Sequence, residues 1–218
     1  SRFKCGSKNS RLRYFIRVII LFCIYFVTAK LGLALNAVNS FATLVWFPTG
    51  ISLSALFLFG YSLWPGIMLG AFLVDLMVGA PPLVALGIAV GNTFEAILGT
   101  YLLRRSNFQP DLEEIQDISK LVIFGAVLST FASSTLGVAS LWIGGMIHGA
   151  LAYQSTFKAW WFGDVMGVLI VAPLLLVWGT RLLDSPVGCR SKDDENALIQ
   201  FRPRKVLEAV ALMLSAVF

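Results

Sequence analysis

Apolar residues run along this chain in long unbroken blocks, separated by short polar or basic stretches. The blocks cover about 14–35, 43–59, 63–78, 83–103, 121–143 and 159–178. A further block begins near Val206 and is still apolar at Phe218. A helix needs about 20 apolar residues to cross a bilayer, and most blocks approach that length. Strict alternation over segments of about ten residues, the mark of a membrane β-barrel, is absent from the sequence. The pattern therefore predicts an all-α, polytopic transmembrane helix bundle of about seven spans, with an eighth expected in a longer protein. Residues 1–13 form a basic amino terminus, and 14–218 form the transmembrane domain, cut within the seventh span. The first block exceeds a signal-peptide core, and no clean small-x-small cleavage site follows it, so it is expected to stay as a span.

Composition agrees with lipid as the main solvent. Hydrophobic residues make up 57% of the 218 residues and charged residues 13%, where a soluble domain carries about a quarter charged. Mean hydropathy is +0.80. In lipid every backbone polar group must find its partner within the protein, which favours helices. The net charge of +5 reflects basic loops rather than a nucleic-acid surface. Arg2, Lys4, Lys8, Arg11, Arg13 and Arg17 precede or begin the first block, and Arg104, Arg105 and Lys120 lie between the fourth and fifth. Arg181, Arg190, Lys192, Arg202, Arg204 and Lys205 lie between the sixth and seventh. With the amino terminus inside, only Lys30 and Lys158 of the 17 basic residues fall near outer ends. The positive-inside rule thus predicts a multi-pass membrane protein with a cytoplasmic amino terminus. The external loops, about 36–42, 79–82 and 144–158, are short. The cytoplasmic segment 104–120 carries Leu112, Ile115 and Ile118 at threefold spacing, which predicts a short amphipathic helix.

Small residues recur every four positions: Gly87, Gly91 and Gly99; Gly125, Ser129, Ser133 and Gly137; Gly163 and Gly167. Such faces let helix backbones approach closely where lipid supplies little drive for association. Ionisable residues inside spans are rarer and more telling, since each costs roughly 2.5–3.5 kcal/mol at a helix centre. Lys30, Asp75 and Asp164 fall toward the outer leaflet, and Glu95 lies deeper, three residues from Asn92. Two arrangements satisfy them: an outward-opening polar cavity floored by Asn92 and Glu95, in which Lys30 can pair with Asp75 or Asp164, or a purely structural ion pair that locks the bundle. Trp46, Pro48, Thr49 and Gly50 open the second span, Trp64, Pro65 and Gly66 the third, and Trp160 and Trp161 the sixth. These tryptophans suit interfacial anchoring, and the prolines suit a helix's first turn. Pro173 is expected to kink the sixth span.

The series Trp46-Phe47-Pro48-Thr49-Gly50-Ile51, Leu63-Trp64-Pro65-Gly66-Ile67, Gly91-Asn92-Thr93-Phe94-Glu95-Ala96 and Leu102-Leu103-Arg104-Arg105 is followed by Trp160-Trp161-Phe162-Gly163-Asp164 and Val171-Ala172-Pro173-Leu174. In order and spacing it resembles the bacterial membrane-associated sensor domain of the first class, the MASE family, over about residues 14–218. The resemblance implies a helix bundle serving as input to a cytoplasmic output module, a histidine kinase or a cyclic-diguanylate enzyme, that lies outside this chain. It also implies a homodimer formed through that module.

Three function classes follow. As a sensory input domain the bundle would meet a small ligand or a membrane partner protein, with Lys30, Asp75, Asn92, Glu95 and Asp164 as the signal-sensing polar cluster. As a small secondary transporter or channel it would use the same buried carboxylates on an ion path. Catalysis by this segment is not expected. The three cysteines (Cys5, Cys23, Cys189) and the single His148 show no metal spacing, and no catalytic residues, cofactor or metal site are predicted.

Overall fold

The computed structural model describes residues 7–38, 42–43 and 45–183. The block that begins near Val206, the basic residues from Arg190 onward, and Cys5 and Cys189 lie outside the described residues. The chain divides at Arg181 into two units, and the helix bundle belongs to the first.

Helix α1 (Ser7–Asn36) is apolar on nearly every side but buries one stripe. Leu21, Tyr25 and Ala29 recur every four residues and are buried, while Ile16, Ile19, Ile20, Ile24, Val27 and Leu31 are exposed. A helix with one packed stripe and an apolar remainder is built for lipid on its open side. A two-residue antiparallel ladder, Ala37–Val38 with Ala42–Thr43, turns the chain back. Helix α2 (Phe47–Phe59) starts on Pro48 and ends at Gly60, whose φ of 100° other residues rarely adopt. A 3₁₀ turn, Tyr61–Leu63, leads into α3 (Trp64–Met77), which again has proline in its first turn. Helix α4 (Pro82–Arg105) closes on Arg104 and Arg105, positive charges suited to a helix carboxyl end.

The next helical stretch is continuous from Ile115 to Ile143. It comprises α5 (Ile115–Lys120), a π-helical segment (Leu121–Leu128) and α6 (Ser129–Ile143). Of the amphipathic helix expected over 104–120, only α5 forms, and Leu112 stands outside it at φ 56°. Helix α7 (Ala150–Leu183) begins nine residues before the apolar block did and runs on through Pro173 without interruption.

Four helical stretches are long and apolar enough to cross a bilayer: 11–34 in α1, α4, Ile115–Ile143, and 150–182 in α7. Helices α2 and α3 are shorter. Thirteen residues rise only about 20 Å, against a hydrocarbon core of about 30 Å. The six blocks within the described residues therefore resolve into four full-length spans and two short apolar helices. Successive elements still reverse direction. Phe59, at the end of α2, sits beside Arg17 near the start of α1. Tyr61 and Phe57 sit beside Arg104 at the end of α4. Arg17 and Arg104 thus share one end of the bundle, as the charge pattern predicted.

Close packing follows the small residues. Along α4, Gly87 meets Ser140, Gly91 meets Leu136 and Ser133, and Gly99 meets Ser129. As the position rises on α4 it falls on α6, so the two helices are antiparallel and joined along a seam of glycine and serine. Gly137 receives the Trp160 ring from α7. The approach of α2 to α7 is closer still: a Cβ on Gly167 would fall on the Trp46 carbonyl, and one on Gly50 would fall on the Gly167 carbonyl. The Trp46 N–H donates to the Gly163 carbonyl at 2.8 Å across the same contact.

Candidate functional site

The polar residues of the bundle divide by how they are satisfied. Most hydroxyls bond back to their own helix. Ser129 donates to the Gly125 carbonyl at 2.6 Å, Ser134 to Thr130 at 2.8 Å, Ser140 to Leu136 at 2.7 Å and Ser54 to Gly50 at 2.8 Å. Thr130 likewise donates to the Ala126 carbonyl. A hydroxyl carries its own proton and can use the carbonyl four residues back. An ionised carboxylate only accepts, and the N–H groups of its own helix are already committed.

That difference exposes one cluster. Asp164 on α7 is fully buried, and its Oδ1 accepts from Thr49 Oγ1 at 2.9 Å, tying α7 to the first turn of α2. Its second oxygen, Oδ2, has no hydrogen-bond partner. Glu95 on α4 is 3% exposed, and its Oε1 also has none. The two carboxyl groups are near enough to act on one another electrostatically. Ser133 on α6 faces Glu95 and stands 3.2 Å from Asn92 Oδ1. With a single proton, Ser133 serves one of these acceptors at a time. Trp160 lies beside Asp164. Tyr25, buried on α1, stands beside Trp46 and within electrostatic range of Asp75, Asp164 and Glu95. Its hydroxyl has no partner either.

Among the described residues no cation offsets these carboxylates: Asp75, Glu95 and Asp164 feel no lysine, arginine or histidine. Lys120 pairs with Asp117 at 2.7 Å, far along the sequence from the cluster. The expected pairing of Lys30 with Asp75 or Asp164 is therefore not formed, and Lys30 is half-buried on α1. Nor is the cluster an outward-opening cavity. Thr49, Asn92, Glu95, Ser133 and Asp164 are each no more than 6% exposed. A groove of about 420 Å³ does exist, but it is apolar, lined by Tyr61, Phe94, Ile97, Leu98 and Tyr101, none of which belongs to the cluster.

The family model MASE1 matches residues 17–216, which contain every residue of this cluster. The chain belongs to the MASE1 family. These are membrane-associated sensor domains rather than catalytic ones. No curated protein and no solved structure matches the chain.

Tryptophans, prolines and glycines near the helix starts build the frame around the cluster. Trp46 and Gly50 make the α2–α7 contact, with Pro48 and Thr49 in the intervening turn. Pro65 starts α3, and Gly66 lets α3 sit against the Val18 carbonyl of α1. Trp64 is 46% exposed and suits an interfacial anchor. Trp160 is buried instead and packs on Gly137. The Trp161 indole donates to the Val127 carbonyl at 3.3 Å, at the end of the π-helical segment. Pro173 lies on α7 beyond the cluster. His148 is exposed in the α6–α7 loop.

Of the sequence-predicted cluster, the structure joins Asn92, Glu95 and Asp164, and reaches Asp75 through Tyr25. Lys30 stays apart. Tyr25 and Ser133 belong to the site, although spacing alone marked Ser133 only for packing. A signal for Tyr25 was present: it is the polar member of the Leu21, Tyr25, Ala29 stripe on an otherwise apolar span.

Proposed function

We propose that this MASE1 domain detects a signal at or in a bacterial inner membrane and relays it to a cytoplasmic output module, a histidine kinase or a cyclic-diguanylate enzyme. The observation that supports this most is the pair Glu95 and Asp164: two buried carboxylates on different helices, each with an oxygen left unpartnered. A buried carboxyl oxygen without a hydrogen-bond partner costs about 1–3 kcal/mol. The packing that holds it is therefore poised against any packing that relieves it. A ligand or membrane partner that binds one packing better shifts the population by its differential affinity. Helices α2, α4, α6 and α7 all touch the pair or its hydrogen-bond partners, so relief at this point moves several helices together.

The basic residues on the sides of spans one, four and five support a cytoplasmic amino terminus. The signal is a small ligand or a membrane partner protein, and the receptor works as a homodimer through its output module.

The test uses the intact receptor in proteoliposomes. Glu95→Gln and Asp164→Asn should insert normally and change the output activity or its response by at least severalfold. Unchanged output in both variants would remove the reading. Ion flux that depends on Glu95 would place the transporter reading ahead of it.

A further inference from the structure

We propose that Glu95 and Asp164, with Thr49, Asn92 and Ser133, form a binding site for a hard metal cation held by oxygen atoms alone. The inference rests on the sensory reading of the same cluster and names the chemistry of its ligand.

Three observations carry it. The first is the pair of unpartnered oxygens, Glu95 Oε1 and Asp164 Oδ2, both buried within the bundle. The two carboxyl groups lie within range of one another. Glu95 Oε1 and Asp164 Oδ2 meet neither a donor nor a cation of the protein, while Asp164 Oδ1 accepts from Thr49. The second is the composition of the surroundings. Thr49 Oγ1 is bonded to Asp164 Oδ1, and Ser133 Oγ and Asn92 Oδ1 lie beside Glu95. Every candidate donor atom is therefore a carboxylate, hydroxyl or amide oxygen. No group of three or more His, Cys, Asp or Glu able to hold a metal ion stands among the described residues, so the two carboxyl groups would be completed by neutral oxygens alone. Oxygen-only sets suit alkali and alkaline-earth ions, whereas zinc and copper prefer nitrogen and sulfur. The third is closure: the five side chains are no more than 6% exposed, which keeps bulk water from solvating the unpartnered oxygens.

The site is contributed by α2, α4, α6 and α7, so an ion there bridges four helices. Two carboxylates balance one divalent ion, or one monovalent ion with one proton, and the titration separates these cases. The Tyr25 hydroxyl and the Trp46 and Trp160 indoles flank the cluster. Asp75 stands farther off, against Tyr25.

The experiment follows thermal unfolding of the intact membrane protein in nanodiscs of neutral lipid. The background is choline chloride, and NaCl, KCl, MgCl₂ or CaCl₂ is titrated separately at constant ionic strength. At least one salt should raise the midpoint saturably, by about 5 °C or more at a hundred times its Kd. Glu95→Gln and Asp164→Asn should each abolish the saturable rise, and Glu113→Gln, an exposed carboxylate outside the cluster, should retain it. Glu95→Asp keeps the charge and withdraws it by one methylene, so half-saturation should move up about tenfold. Should the amide variants fail to fold, isothermal titration of the unsubstituted protein decides alone: a saturable heat with one of the four salts supports the site, and its absence overturns it. No rise with any salt, or an equal rise in both amide variants, also overturns it. The two proposals fail separately. Saturable binding with an output blind to the ion leaves the site and removes the sensory reading. An output changed by the substitutions without ion-dependent stabilisation removes the site and leaves the sensory reading.

Discussion

Helix α4 takes part in two contacts that obey opposite rules. Through Gly87, Gly91 and Gly99 it lies against α6, where Ser129 and Ser140 donate to their own helix's carbonyls. Through Glu95 it comes within electrostatic range of Asp164 on α7, where carboxyl oxygens stay unpartnered. Both regions are buried and both contain polar atoms. The seam is self-sufficient because hydroxyls bring their own protons. The cluster is not, because a carboxylate depends on donors or cations from other helices. One region therefore holds the bundle together, and the other is where it is open to influence.

The sharpest way to break this contrast is to fill the α2–α7 contact. Gly167→Leu places a side chain where the Trp46 carbonyl already sits. Overpacking costs about 1–3 kcal/mol and sometimes more. Here the obstacle is backbone, so the loss should reach about 3 kcal/mol or exceed it, seen as a large fall in the unfolding midpoint. In the seam, Gly91→Ala brings a Cβ to 3.2 Å from Leu136 Cβ, tighter than ordinary contact but well short of the Gly167 overlap. It should cost about 1–3 kcal/mol and leave the output response intact, which separates packing from signalling.

Smaller effects sharpen the comparison at the arginine end. Arg104 donates to the Phe57 carbonyl at 2.8 Å and lies over the Phe57 and Tyr61 rings at 5.6 and 5.0 Å. It caps the end of α2 with a charged donor, and Arg104→Ala should cost about 1.5–3 kcal/mol in the same unfolding assay. Lys30→Gln should cost the least. Lys30 makes no ion pair with Asp75 or Asp164, so both stability and output should stay within about 0.5 kcal/mol and the scatter of the assay. A clear loss would restore the pairing that the sequence allowed.

Much of this architecture is legible in the sequence, and the reasons are physical. The long spans follow from unbroken apolar length. The α4–α6 seam follows from small residues at every fourth position, because such faces have few other uses in lipid. Asn92 and Glu95 are visible as a pair because three residues on a helix make neighbours. The short helices are not legible as such. Apolar composition is the same in a helix that crosses and in one that stops short, and Gly60 and Pro48 set the ends of α2 only in context. The extension of α7 back to Ala150 is hidden by polar residues such as Gln154 and Lys158, which weaken the apolar signal without opposing a helix. Thr49 with Asp164 is hidden for a different reason. The partners are 115 residues apart, and only the approach of α2 to α7 at Gly50 and Gly167 brings them together.

The central claim is that Glu95 and Asp164 are retained for response and not for cohesion. It is tested most directly by the unfolding midpoint of Glu95→Met in nanodiscs with choline as the sole cation. The expected midpoint lies above that of the unsubstituted protein, by an amount equivalent to about 1–3 kcal/mol, because a buried oxygen without a partner is replaced by an apolar group of similar length. A midpoint lowered by a comparable amount would contradict it and show that Glu95 holds the bundle together.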